Sequence, residues 1–197
     1  MSNPILVGVT GGIGSGKSTV CKIFESLGIK TYYADDRAKR LMVEDSDLVK
    51  EIKNLFGPNA YNENGINREE IAKQAFQNKG LLEKLNQHVH PAVKKNFLQW
   101  VQDNNSEKIL LKEAALLVET GSYKKLDKLI VVTAPDETRI KRTLKRDAHR
   151  TKDDVQKIIS KQLPESEKAE KADYIIDNAE EQSVIKQVMK VYTELTS

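Results

Sequence analysis

Short, uninterrupted apolar runs alternate along this chain with longer stretches in which apolar residues return every three or four positions. The runs cover residues 5–9, 29–34, 109–111 and 129–133, with a weaker fifth at 174–177. None alternates strictly between apolar and polar residues, which is the pattern of strands covered on both faces. Helical spacing fills the intervals. After the first run, Val20, Ile23, Phe24 and Leu27 line one side of a helix that starts near Ser18 and that Gly28 stops. Near the other end, Val184, Ile185, Val188, Met189, Tyr192 and Leu195 mark a single apolar stripe. Strands separated by helices predict an α/β fold around a parallel sheet.

Two stretches depart from this alternation. Residues 46–105 carry no strong strand, and helical periods run through Val49, Ile52, Leu55 and Phe56, then Ile71 and Ala75, then Leu81, Leu82 and Leu85. Gly57-Pro58 and an Asn64-Gly65 turn signal punctuate them. We read a helical insertion between two strands. Residues 136–168 are densely charged and poor in large apolar side chains; Pro135 followed by Asp136 and Glu137 is a helix-start signal. One domain is therefore expected over 1–197, with a core of 1–45, 106–135 and 170–197, the insertion at about 46–105, and a lid at about 136–168.

Composition narrows the partners. With 197 residues, 39% of them apolar, the chain can bury a substantial core. Its 32 basic and 29 acidic residues leave +3, too little for a duplex-binding surface, so no nucleic-acid partner is expected and any positive site is local. The single cysteine, Cys21, rules out an intrachain disulfide, fits a reducing compartment, and reads as a small buried residue of the first helix. No run approaches the ~18 apolar residues of a membrane span, and the first run passes at once into glycines rather than a signal-peptide cleavage site. A cytoplasmic protein without a membrane partner is expected.

Those glycines carry the chemistry. Residues 11–18, Gly11-Gly12-Ile13-Gly14-Ser15-Gly16-Lys17-Ser18, fit G-x-x-x-x-G-K-[ST] in full, with Thr19 next. Wrapping a phosphate requires consecutive backbone N–H groups to turn inward, in conformations that glycine reaches cheaply. The helix that follows points its positive end at the same anion. Lys17 supplies a mobile charge to the outer phosphates, and the Ser18 hydroxyl suits Mg²⁺. A nucleoside triphosphate is the expected ligand. Guanine selection by Asn-Lys-x-Asp is not expected, since Asn78-Lys79 leads into Gly80-Leu81. The run 109–111 leads into Lys112-Glu113 and the run 129–133 into Ala134-Pro135, so an apolar strand ending in Asp or Asp-Glu, which would orient a hydrolytic water, is not expected.

Two further patterns point to transfer onto a second substrate. The second run closes on Asp35-Asp36, where strand ends of a parallel sheet face the ligand crevice. Asp35 is expected to take a proton from an attacking hydroxyl and to help hold Mg²⁺, with Asp36 capping the next helix. Arg139, Arg142, Arg146 and Arg150 follow one another by three, four and four residues, a spacing that stacks guanidinium groups on one helix face. Lys141, Lys145, Glu137 and Asp147 are expected elsewhere. Such a column suits a polyphosphate, and a closing lid would exclude water, although a charge run is also the ordinary form of a solvated face.

Taken with "LGI" (27–29), "AD" (34–35), "LFG" (55–57), "HP" (90–91), "LLVE" (116–119), "KR" and "RD" (141–142, 146–147), "AD" (172–173) and "IDN" (176–178), the "TGGIGSGKSTV" stretch (10–20) resembles the dephospho-coenzyme A kinase family over nearly the whole chain. The resemblance implies a P-loop kinase fold with a five-stranded parallel sheet flanked by helices, a helical acceptor-binding insertion and a lid. It also implies transfer of the ATP γ-phosphoryl group to the ribose 3′-hydroxyl of dephospho-coenzyme A; a monomer or weak homo-oligomer is expected. By position it makes Asp35 the base, Lys17, Arg142 and Arg146 groups at the phosphates, and Asn178 a neighbour of the adenine. The chain departs from the family at Tyr33, Lys39, Ala115 and Ala179-Glu180, positions that bear on the acceptor more than on the reaction. Another small acceptor, or a non-catalytic ATP switch, is the alternative.

Overall fold

The computed structural model describes residues 3–63, 65–179 and 181–197; the expected turn residue Asn64 lies outside them. The first apolar run forms β1 (Ile5–Thr10), and α1 (Lys17–Ser26) opens on Lys17 and ends before Gly28. β2 (Lys30–Tyr33) passes directly into α2 (Ala34–Glu44). Then come α3 (Ser46–Phe56), the two-residue strands β3 (Tyr61–Asn62) and β4 (Gly65–Ile66), α4 (Arg68–Gln77) and α5 (Lys79–Asp103). β5 (Ile109–Glu113) and β6 (Lys128–Thr133) precede α6 (Asp136–Arg146), α7 (Lys152–Ile159) and α8 (Glu165–Ala169). β7 (Tyr174–Asp177) and α9 (Val184–Thr196) complete the described chain. None of these helices is long and apolar enough to cross a membrane.

Two compact units result, Met1–Tyr33 with Asn104–Ser197, and Ala34–Asp103. The first holds a five-stranded sheet in the order β2-β5-β1-β6-β7, and every pairing in it is parallel. Both faces of the sheet are covered, which is why the strand sequences do not alternate. On one face Val7, Val9, Ile130, Val132 and Ile176 pack against Val20, Cys21 and Phe24 of α1 and Val188, Val191 and Leu195 of α9. On the other, Leu129 and Val131 meet Leu117 and Leu126. Each such aliphatic side chain, once fully buried, contributes roughly 1.5–3 kcal/mol before conformational entropy is counted.

The second unit starts at Ala34, ahead of the boundary drawn at residue 46 from the sequence. Leu41, Leu48, Ile52, Phe56, Ala60, Ile71, Leu85 and Val89 form its own core. Its helix starts are fixed by side chains: Asp45 accepts from the Asp47 and Leu48 amides, and Asn67 from the Glu70 amide. α5 continues through Pro91. Within the helical insertion the structure adds one short antiparallel β3–β4 pair, Tyr61 opposite Ile66. Strands of two residues carry no readable period.

Candidate active site

Thr10, fully buried, ends β1, and the chain then turns through residues 11–16 into α1, whose N-cap is Gly16. At Gly16 φ is 98°, and a Cβ there would collide with Nδ2 of Asn178. Only glycine meets both demands. The close approach has a purpose. Asn178, just past β7, donates from Nδ2 to the Ser15 carbonyl at 2.7 Å and accepts at Oδ1 from Nη2 of Arg142 at 3.4 Å. Asn178 therefore ties the loop to α6, a contact the sequence did not disclose.

Lys17 bends back over the loop. Its Nζ donates to the Gly11 carbonyl at 3.1 Å and to the Gly12 carbonyl at 3.2 Å, and lies 4.0 Å from Oε1 of Glu113. β5 runs on beyond the apolar residues 109–111 to the Glu113 carboxylate, opposite Val9 of β1 and Tyr33 of β2. Glu113 is only 7% exposed. A strand end with a buried acid beside the loop lysine is thus present, and the signal for it was register rather than hydropathy. Burial, with Glu113 as the second cause, pushes the thiol of fully buried Cys21 far above its ordinary value.

Among the described residues, Oγ of Ser15 in the loop and Nη1 of Arg142 are buried without a hydrogen-bond partner. Ser18 and Thr19, in the first turn of α1, are exposed, and no hydrogen bond engages Oγ of Ser18 among the described residues. Asp35 is exposed in the first turn of α2, its carboxylate unengaged among the described residues. Asp36 does not cap that helix as expected. It lies within the first turn and pairs with Lys39 at 2.8 Å, because the helix already begins at Ala34.

The arginine column is also corrected. α6 ends at Arg146, so Arg150 stands beyond it. Arg139 is buried, 3% exposed, and points inward rather than over a solvent-facing groove. Arg146 and Arg150 both pair with Asp147, at 2.9 and 3.2 Å, although Asp147 was expected elsewhere. Hydrogen bonding from Arg146, then the two guanidinium charges, holds the Asp147 carboxyl down at about 2. In the second unit, His88 stands 4.0 Å from Glu51, and no group of three or more potential metal-ligating side chains occurs among the described residues.

A five-stranded parallel sheet in this order, with a glycine loop leading from its central strand into a helix that opens on Lys-Ser, defines a P-loop kinase fold. The dephospho-CoA kinase family model matches residues 5–183. The chain belongs to the dephospho-CoA kinase family. A dephospho-CoA kinase of Chlorobium luteolum is 40% identical over 184 residues, 90% of this chain and 84% of that protein. A crystal structure from Thermus thermophilus superposes with a TM-score of 0.87 at 30% identity, covering 100% of both chains. The dephospho-CoA kinase of Campylobacter jejuni does so with a TM-score of 0.70 at 29% identity, covering 96% of each.

Proposed function

We propose that this protein transfers the γ-phosphoryl group of ATP to the ribose 3′-hydroxyl of dephospho-coenzyme A, giving coenzyme A and ADP in the last step of coenzyme A synthesis in the cytoplasm. The observation that carries the reading is the loop 11–18 beside a buried, unpartnered Nη1 of Arg142. A buried guanidinium nitrogen without an acceptor is costly unless an anion completes it. A triphosphate cradled by the loop supplies that anion.

The steps follow from the side chains. Gly11, Gly12, Gly14, Ser15, Gly16, Lys17, Ser18 and Thr19 line the cradle of the donor phosphates, with the Ser15 and Thr19 amides donating to the Gly12 and Gly16 carbonyls, while Ile13 serves as a fixed point of the loop. Lys17 leaves the carbonyls of Gly11 and Gly12 for the outer phosphate oxygens. Asp35 accepts the proton of the 3′-hydroxyl as its oxygen bonds to the γ-phosphorus, and the bond to the β–γ bridging oxygen breaks, leaving ADP. Arg142 gathers the charge that shifts toward that leaving oxygen. Arg146 helps only after releasing Asp147. Ser18, with an uncommitted hydroxyl, and Asp35 would hold Mg²⁺, which when bound neutralises phosphate charge. Asn178 neighbours the adenine, the helical insertion binds the acceptor, and the segment about 136–168, anchored to the loop through Arg139 and Gln162, forms a lid against water.

A coupled assay with dephospho-coenzyme A, AMP, CMP, shikimate and gluconate tests the substrate. Turnover confined to dephospho-coenzyme A is expected, and preference for any other acceptor overturns the reading. Asp35→Asn should lower turnover by about 10²–10⁴-fold with ATP affinity retained, the usual range for a lost general base. Unchanged turnover would remove Asp35 from that role.

A further inference from the structure

Ile13, between the glycines of the loop, has both of its backbone polar groups taken from outside the loop. Its N–H donates to Oε1 of Gln162 at 3.0 Å, and its carbonyl accepts from Nε of Arg139 at 3.0 Å. The two side chains also hold each other, Nη2 of Arg139 donating to the same Gln162 oxygen at 3.3 Å. Arg139 is locked in turn by Asp136 at 2.8 Å and by Glu165 at 3.4 Å, and Glu165 accepts from the Ala134 amide at 3.1 Å. A Cβ on Gly12 would collide with the Arg139 guanidinium, so the loop lies directly on this group.

We propose that Arg139 and Gln162 are positioning residues, a clamp that presets the phosphate loop by fixing Ile13. An anion cup works only if its amides converge before the ligand arrives; otherwise binding must order them. Gripping one residue at both its N–H and its C=O fixes the peptide planes on either side. The Gly14 amide that follows is then aimed without further ordering, while that of Ser15 closes the turn on the Gly12 carbonyl. Arg139 does this by geometry and not by charge, since two carboxylates flank its guanidinium and it is almost wholly buried. The charged stretch that reads from sequence as a phosphate-facing column thus contributes its first arginine to the rear of the cup.

The consequence for ATP rests on the proposed function, while the clamp itself does not. Gln162→Leu removes the acceptor at similar size, Gln162→Asn withdraws it by one methylene, and Gln162→Glu keeps an oxygen in place. The first readout is amide exchange at Ile13 in the nucleotide-free, ¹⁵N-labelled enzyme. The second is ATP affinity by calorimetry, with KM for ATP and for the acceptor measured separately. Leu and Asn variants should exchange Ile13 faster and bind ATP about tenfold more weakly, the size expected for ordering one loop residue on binding, with acceptor KM unchanged. Glu should restore both. Unchanged Ile13 exchange in the Leu or Asn variant overturns the clamp, and faster exchange with unaltered ATP affinity overturns its positioning role. Amide exchange and calorimetry use no acceptor, so preference for a different acceptor would count against the proposed function alone.

Discussion

One guanidinium nitrogen of Arg142 is committed and the other is not: Nη2 reaches Asn178 at 3.4 Å, and Nη1 is buried without a partner. A lysine has the same charge but no planar fork, so it cannot hold Asn178 and a phosphate oxygen together. Arg142→Lys should lower turnover about 10- to 100-fold while the melting temperature stays within a few degrees, given charge-assisted bonds of this kind. Equal turnover would reduce Arg142 to a structural tie. At this scale the sequence was legible where position follows from a local pattern, as at Lys17 and Ser18, which open α1 directly after the loop. It was not legible where burial decides the role. Arg139 and Arg142 look alike in a three-residue spacing, yet one is enclosed by Asp136, Glu165 and Gln162 and the other keeps a nitrogen open. Gln162 had no spacing or neighbour to mark it.

Element by element, the five parallel strands could be read because covered sheets leave continuous apolar runs, and each run falls on a strand. The ends were harder, since ladder pairing and not hydropathy extends β5 to Glu113. The end of α6 shows a related limit. The arginine spacing predicts a helix reaching residue 150, whereas the helix stops at Arg146 and Asp147 gathers Arg146 and Arg150 beyond it. Asp147 titrates at about 2, below the ordinary carboxylate value near ~4. Its stabilising contribution is therefore complete above pH ~4 and disappears as pH falls through about 2. The melting-temperature gap between the wild type and Asp147→Asn should be present at neutral pH, shrink toward pH 2, and narrow with added salt. A gap independent of pH would assign the effect to something other than this charge cluster.

For the whole molecule, the class of reaction could be argued from the loop and the following Asp35, whereas the acceptor came from resemblance, because no local spacing encodes the shape of a second substrate. The core of the sheet unit is legible in a way that permits a global test. Cys21 shares one buried cluster with Val7 near the start of the chain and Leu195 near its end. Freeing its thiol requires α1 to leave both the sheet and α9, contacts made by distant parts of the sequence. Burial also keeps the thiol protonated. Labelling of Cys21 by iodoacetamide in the native protein should accordingly proceed only through opening of the unit, with the same denaturant dependence as unfolding measured by circular dichroism. Because α1 begins at the phosphate loop, ATP at about 100 times its dissociation constant should slow that labelling about 100-fold by mass action. Prompt labelling without denaturant would instead mean that α1 opens alone, and a rate indifferent to ATP would separate the opening that exposes Cys21 from the loop proposed to hold the nucleotide.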